Sequence, residues 1–117
     1  LLSRGLGDVY KRQVEAHLDC EPLSLKWLAE NYLFVSVGYL SKQFVKEEGI
    51  RFSDYLNKKR MEQAIRLMVY YHNDNIKTIA RSVGFGNNPQ YFSQVFKKYT
   101  GYTPTEYIEK VGASAPS

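Results

Sequence analysis

The hydrophobic positions of the chain recur with helical spacing, and no segment alternates in the way that a half-buried strand does. The clearest case lies between about residues 52 and 71, where Met61, Ala64, Ile65 and Met68 fall on one face of a helix. Along the rest of the chain, turn residues follow one another too closely to leave long loops. The pattern therefore predicts an all-α fold of about seven helices.

An internal duplication organises these helices. Residues 25–29 have the sequence Leu-Lys-Trp-Leu-Ala and match residues 76–80, Ile-Lys-Thr-Ile-Ala, at an offset of 51 that Phe34 and Phe85 share. The offset then becomes 52 for the pairs Tyr39 and Tyr91, Ser41 and Ser93, Phe44 and Phe96, Lys46 and Lys98, and Gly49 and Gly101. One unit therefore occurs twice, with one extra residue in the second copy between Phe85 and Tyr91.

The first copy has the cap residues of two short helices joined by a tight break. Ser24 is placed to cap a helix over 25–33, and Ser36 to cap a helix over 37–48. Gly49 is placed to end the second helix, because glycine adopts the left-handed conformation of a helix C-cap without steric cost. Two short helices joined in this way form a helix-turn-helix.

The second copy repeats this arrangement with different cap residues. Asn75 is placed to cap a helix over 76–83. Asn88 followed by Pro89 offers a cap with proline in the first helical position, ahead of a helix that ends near Gly101. The sequence thus predicts a second helix-turn-helix.

The helix predicted over 52–71 joins the two subdomains, which lie at about 24–48 and 75–100. At about 1.5 Å per residue, its twenty residues span about 30 Å, close to the ~34 Å between successive major grooves on one face of B-DNA. A capping box at 103–106 predicts a final helix over 104–110.

The second helix of each copy has a core face and a polar face. The predicted core residues are Leu40 and Phe44 in the first copy, and Phe92, Val95, Phe96 and Tyr99 in the second. On the polar faces, Lys42 and Gln94 are equivalent by the duplication, and these side-chain types can bond guanine and adenine in the major groove. Nearer the helix ends, Lys46, Lys97 and Lys98 suit phosphates.

Composition excludes several classes of protein without naming a function. The chain has 117 residues and a net charge of +4, which is a weak indication of an acidic partner. Cys20 is the single cysteine and no secretory signal opens the chain, so the cytoplasm is the expected compartment. No apolar run is long enough to cross a membrane. His17, Cys20 and His72 are too few for a metal site, and we expect no metal, cofactor or catalytic residue.

The two ends of the chain are expected to add no structure. Residues 1–13 show no sustained apolar stripe, and the stretch from Asp8 to Gln13 resembles the translation of a sequencing-adapter end; a natural flexible linker is the alternative. Residues 111–117 are expected to form a disordered tail. The segment Lys58-Lys59-Arg60 has the composition of a solvated helix face, with contact to a DNA backbone as the alternative.

Several motifs together resemble the DNA-binding domain of the AraC family over residues 14–110. They are Pro22-Leu-Ser-Leu-Lys-Trp-Leu-Ala29, Tyr39-Leu-Ser-Lys42, Phe52-Ser-Asp-Tyr-Leu56, Ile79-Ala80, Val83-Gly-Phe85, Tyr91-Phe-Ser93, Phe96-Lys-Lys-Tyr-Thr-Gly101 and Thr103-Pro104 with Tyr107. The resemblance implies a sequence-specific transcription regulator that binds double-stranded DNA with two helix-turn-helix subdomains and also contacts RNA polymerase. An activator is the expected kind of regulator, with a repressor as the alternative. The resemblance further implies a regulatory domain upstream. The sequence of residues 25–32 most resembles that of members that carry a two-component receiver domain.

Carried over position by position, the resemblance implies base contacts at Gly38, Ser41 and Lys42 in the first recognition helix and at Gln90 and Gln94 in the second. The chain departs from the family pattern at Gly38, which has no side chain where members often have a large one. It also has five residues rather than four, 86–90, before Tyr-Phe-Ser, and Gln94 stands where many members have arginine.

A helical protein-interaction module is the alternative interpretation, in which the same polar faces bind an acidic protein. Binding measured at several salt concentrations distinguishes this interpretation from DNA binding. A DNA binder loses affinity log-linearly with salt concentration, because lysines that neutralise phosphates release counterions.

Overall fold

The computed structural model describes residues 2–72 and 74–114, which form seven α-helices and one π-helical turn with no strand among them. The elements are α1 (Leu2–Ala16), α2 (Leu25–Leu28) continued by a π-helical turn (Ala29–Leu33), α3 (Val37–Glu48), α4 (Phe52–Val69), α5 (Ile76–Ser82), α6 (Pro89–Thr100) and α7 (Pro104–Ser114). The prediction of an all-α fold, with two helix-turn-helix subdomains joined by a long helix, is confirmed.

The predicted caps are formed at both recognition helices. The side-chain oxygen of Ser36 accepts a hydrogen bond from the backbone N–H of Tyr39 at 3.1 Å, and α3 ends at Gly49 in the left-handed conformation. At α6, Asn88 Oδ1 accepts from the Tyr91 N–H at 3.1 Å. These local bonds begin and end the helices at the residues that the sequence indicates.

Helix α7 begins with the predicted capping box but ends later than predicted. The Glu106 N–H donates to Thr103 Oγ1 at 3.2 Å, and the Thr103 N–H donates back to Glu106 Oε1 at 3.3 Å. The helix continues to Ser114, so the expectation of disorder from residue 111 is wrong for 111–114. Residues 115–117 lie outside the described part of the chain.

The expectation that residues 1–13 add no structure is wrong for residues 2–13, which form most of α1. Tyr10, Val14 and Leu18 are buried in the core, four residues apart. Residues at this spacing form an apolar stripe on one face of the helix. The stripe was not recognised in the sequence because only Tyr10 of the three lies within residues 1–13. Leu1 lies outside the described residues.

Two hydrophobic cores divide the molecule into lobes that share α4. The core residues of the first lobe include Tyr10, Val14, Leu28, Leu40, Phe44, Phe52 and Leu56. Those of the second lobe include Met61, Ala64, Met68, Ile79, Val83, Phe85, Phe92 and Phe96. The lobes follow one another along the helix, and the molecule is elongated, at 50 × 27 × 22 Å.

One predicted core residue of α6 lies at the surface. Tyr99 is 45% exposed, at the edge of a cleft between α4 and α6, whereas Phe92 and Phe96 on the same face are fully buried. The core contacts are completed before Tyr99, which lies in the last turn of the helix, so its ring remains partly in solvent.

Candidate nucleic-acid interface

Buried aromatic and aliphatic residues fix the rotation of α3 about its axis. Leu40 and Phe44, one turn apart, have no exposed surface. The ring of Phe44 contacts those of Tyr10, Phe52 and Tyr55, with centroids 5.0–5.3 Å apart. The opposite face of the helix is therefore held in solvent in a single orientation.

The structure places all the predicted first-helix residues on this exposed face. They are Gly38, Ser41, Lys42 and, toward the C-terminus, Lys46. Val45 is also exposed there, one turn after Ser41. A glycine at position 38 leaves open space beside the backbone, since an added Cβ would meet no atom within 4 Å. A recognition helix with this face presents one polar and one cationic side chain, Ser41 and Lys42, in its first half.

Helix α6 has the same construction. Phe92 and Phe96 are fully buried, and Phe96 packs edge-on against Tyr107 of α7 with ring centroids 5.4 Å apart. The exposed face carries Gln90, Gln94, Lys97 and Lys98. Ser93 differs from its counterpart Ser41, because its hydroxyl donates to the carbonyl of Pro89 at 2.9 Å and its side chain is half-buried.

The extra residue of the second copy is taken up before α6 begins. Both recognition helices have 12 residues, and the offset of 52 aligns them from their first residues, Val37 and Pro89. Residues 86 and 87 form a turn, with Gly86 in the left-handed conformation, before the Asn88 cap. The stripes on the two helices are therefore in the same register, and Gln90 and Gln94 correspond to Gly38 and Lys42.

The two recognition helices differ in charge. In α3, the two lysines are matched by Glu47 and Glu48 at the C-terminal end, whereas α6 has Lys97 and Lys98 and no acidic residue. Glu48 is held by the first lobe itself, since it accepts a hydrogen bond from the Tyr10 hydroxyl at 2.8 Å and lies 3.0 Å from Lys11 Nζ. Burial alone would raise the pKa of Glu48, but these hydrogen bonds and the Lys11 charge outweigh it and lower that pKa.

A pair of cations that was not predicted from the sequence lies beside the start of α6. Lys77 and Arg81 lie one turn apart on α5, both exposed, and line a cleft of about 280 Å³ with Gly86, Asn87 and Pro89. Arg81 Nη2 donates to Asn87 Oδ1 at 3.4 Å, which directs it toward the turn. The i, i+4 spacing of two cations on the first helix of the second helix-turn-helix was a signal for this cluster in the sequence.

The structure gives the other candidates ordinary roles. His17 Nδ1 lies 2.9 Å from the Gln13 carbonyl, and its ring packs on Trp27 with centroids 5.1 Å apart. Cys20 is half-buried as a free thiol. Within the described residues, no three His, Cys, Asp or Glu side chains are grouped to hold a metal, and no helix is long and apolar enough to cross a membrane.

Comparison with known proteins identifies the family. A family model described as a helix-turn-helix domain, of the AraC type, matches residues 30–110. The chain belongs to the AraC family. DNA binding in transcription regulation is the function of this family.

Relatives and solved structures agree with this assignment. The AraC-family domain is 46% identical to the transcriptional regulatory protein YesN of Bacillus subtilis (strain 168) over 93 residues, which are 80% of this chain and 25% of that protein. It is 40% identical over 85 residues to the transcriptional regulator GadX of Escherichia coli O6:H1, covering 73% of this chain and 30% of GadX. The chain therefore spans about a quarter to a third of the length of these relatives.

Two of the similar structures are C-terminal domains of response regulators. One belongs to yesN of Fusobacterium nucleatum, with a TM-score of 0.81, 36% identity, and coverage of 89% of this chain and 98% of that one. The other belongs to AraT of Geobacillus stearothermophilus, with a TM-score of 0.79, 36% identity, and coverage of 85% and 79%. At 36% identity, these two structures are similar to this chain in sequence as well as in fold.

Proposed function

We propose that this domain binds double-stranded DNA sequence-specifically by inserting α3 and α6 into successive major grooves on one face of the duplex. The observation that carries the proposal is the pair of 12-residue helices with exposed stripes in the same register, one in each lobe, joined by the 18 residues of α4. At about 1.5 Å per residue, α4 is about 27 Å long. This length is comparable to the ~34 Å between successive grooves.

Within each groove, the proposed base contacts come from the first two turns of the recognition helix. They are made by the Gly38 backbone, Ser41 and Lys42 in α3, and by Gln90 and Gln94 in α6. Lysine can donate to guanine O6 and N7, and glutamine can bond adenine with both its amide oxygen and nitrogen.

The proposed phosphate contacts lie at the helix ends and on α5. Lys46, Lys97 and Lys98 are one to two turns beyond the base-contacting residues, where the backbone of the duplex is closer than a base edge. Lys77 and Arg81 add a second cationic group beside the start of α6, where the peptide N–H groups of the helix also favour an anion.

The parent protein is proposed to be a two-component response regulator that acts in the cytoplasm and activates transcription through RNA polymerase. The similar C-terminal domains of response regulators support this placement. In such a protein, an upstream receiver domain controls the DNA-binding domain described here.

A spacing experiment tests binding by both lobes. A preferred site is first selected from random duplexes, and the two patches that one domain protects are mapped. Five base pairs inserted between the patches rotate them to opposite faces of the duplex, so we expect the affinity to fall by more than about tenfold. The same insertion outside the patches is the control and should leave the affinity unchanged.

An unchanged affinity after insertion between the patches would show that only one recognition helix engages DNA. Binding that did not weaken as salt is raised would instead favour the helical protein-interaction module with an acidic partner, because DNA binding through lysines depends on counterion release.

A further inference from the structure

The two lobes meet at a buried arginine in the middle of α4. Arg60 is only 6% exposed, although it belongs to the charged run Lys58-Lys59-Arg60. Its Nη2 donates to the Cys20 carbonyl at 2.8 Å and its Nε donates to the Leu18 carbonyl at 3.3 Å. Both acceptors belong to the segment after α1, in the first lobe.

The same guanidinium also contacts the second lobe. Its central carbon lies 5.7 Å from the centre of the Phe85 ring, which is part of the second core. The position is suited to a cation–π interaction, in which the ring face attracts the positive charge. Arg60 therefore bonds one lobe and packs on the other.

The turn before α6 approaches this arginine so closely that only glycine fits. A Cβ on Gly84 would lie 2.5 Å from Arg60 Nη2 and 2.5 Å from the Leu18 carbonyl oxygen. Gly84 also has a φ of +87°, which favours glycine independently. Two residues on, a Cβ on Gly86 would meet the Glu21 carboxylate. The turn thus packs directly against the segment that follows α1.

Burying a charge is costly, and an apolar residue of similar volume would fill this space with a smaller desolvation cost. The guanidinium, in contrast, has donors in a fixed planar arrangement and bonds its acceptors in one geometry only. Burial lowers the pKa of Arg60, while the nearby Glu21 carboxylate acts in the opposite direction. The arrangement therefore favours one relative orientation of the lobes over close alternatives.

We propose that Arg60 is a positioning residue that fixes the angle between the lobes, and thereby determines the base-pair spacing between the two half-sites that the domain accepts. The contacts of its guanidinium with the Leu18 and Cys20 carbonyls, and the close packing of the Gly84–Gly86 turn, form the joint. Because the turn leads directly into the Asn88 cap, the joint also sets where α6 begins. This inference rests on the proposed binding by both lobes.

The test compares spacing profiles of the wild-type domain and Arg60→Lys. Affinity is measured for the selected site with the interval between half-sites lengthened or shortened by one and two base pairs. Lysine keeps the charge but cannot make the two carbonyl bonds in the same plane. We expect the affinity ratio between the preferred and the shifted spacings to shrink by about fivefold or more, while affinity for a duplex with a single half-site stays unchanged.

Arg66→Lys is the matched control, because Arg66 is an exposed arginine on the same helix whose hydrogen bonds go to Gln63, one turn away. Its spacing profile should equal that of the wild type. If Arg60→Lys does not fold, as judged by circular dichroism and its unfolding transition, Glu21→Ala replaces it, since Glu21 is exposed and lies against Gly86 on the far side of the joint.

The possible outcomes separate the two proposals. A sharp profile for the wild type and an equally sharp one for Arg60→Lys, or for Glu21→Ala where it replaces Arg60→Lys, would overturn the role of this joint in half-site spacing and would leave binding by both lobes standing. A flat profile for the wild type would overturn binding by both lobes, and the joint's role in spacing with it. A variant that lost affinity equally at every spacing and at single half-sites would show a merely structural role, and would also overturn the inference.

Discussion

Gln94 and Lys97 lie three residues apart on the exposed face of α6, yet they are proposed to contact different parts of the duplex. Gln94 is in the second turn of the helix, two residues from each of the buried residues Phe92 and Phe96. Lys97 is in the last turn, where a phosphate contact is proposed. Both residues are on the same exposed face, so the proposed difference between a base contact and a phosphate contact depends on the position of the residue along the helix axis.

Replacing Gln94 by alanine should reduce sequence specificity. We expect Gln94→Ala to lose about 1–3 kcal/mol of binding free energy at the preferred site and little at random DNA, because one bidentate base contact is removed. Lys42→Ala should act likewise at the other half-site. Titrations of each variant against preferred and random duplexes at one salt concentration measure the difference.

Lys97→Ala is the control for this prediction. It should weaken all sequences alike and lower the slope of log affinity against log salt by about one, as expected for one lost phosphate contact. If Gln94→Ala also weakened preferred and random DNA equally, the base contact would have to be reassigned to Gln90 or Asn88.

The burial of single residues was the least predictable feature. Phe34 and Phe85 are equivalent in the duplication, but Phe34 is 82% exposed with a φ of +53°, whereas Phe85 is buried beside Arg60. The run Lys58-Lys59-Arg60 predicted a solvated helix face, because charged runs usually lie in solvent, and the burial of Arg60 was therefore not predicted. Helical phase gave a contrary signal, since Arg60 stands four residues from both Leu56 and Ala64, which lie in the two cores.

At the scale of the element, local signals predicted the helices well. Ser36, Asn75, Asn88 and the 103–106 capping box all form the expected bonds, because a cap depends only on residues within three or four positions. The π-helical turn after α2 was not predicted. There the Phe34 N–H donates to the Ala29 carbonyl at 2.9 Å, five residues back, and no glycine marks the left-handed residue that closes it.

Helix α1 gives the sharpest test at this scale, because the sequence predicted that residues 1–13 of the chain add nothing to folding. In the structure, Tyr10 fills the core beside Phe44 with ring centroids 5.0 Å apart, and its hydroxyl donates to Glu48. Tyr10→Ala should therefore cost about 3–5 kcal/mol of unfolding free energy, mostly through the cavity that it leaves. Tyr10→Phe should cost only about 1 kcal/mol, through the lost hydrogen bond.

Urea unfolding of the two variants and of the chain lacking residues 1–13 measures these costs. Glu15→Ala is a suitable control, because Glu15 is exposed on the same helix. A truncated chain as stable as the full one would mean that α1 contributes nothing to the fold, and the original prediction for residues 1–13 would stand.

At the scale of the whole molecule, positive charge is distributed unevenly between the lobes. The acidic residues at the end of α3 leave it with no net charge, whereas α6 carries two lysines, and Lys77 and Arg81 lie beside its start. The second lobe should therefore supply most of the salt-dependent affinity. The sequence predicted the two lobes and their order, but their joint depends on contacts between residues about 40 to 65 positions apart, which no local pattern marks.

The difference in charge between the two recognition helices is clearest at Val45. It is 44% exposed on α3, and by the offset of 52 it is the position equivalent to Lys97 of α6. Val45→Lys would give the first lobe the phosphate contact that the second lobe is proposed to have. We expect affinity for preferred and random DNA to rise together, and the slope of log affinity against log salt to steepen by about one. Thr105→Lys, which adds the same charge on the exposed face of α7, should leave that slope nearly unchanged. A slope that did not steepen in Val45→Lys would mean that the end of α3 lies away from the DNA backbone, so that the first lobe enters its groove at a different angle from the second.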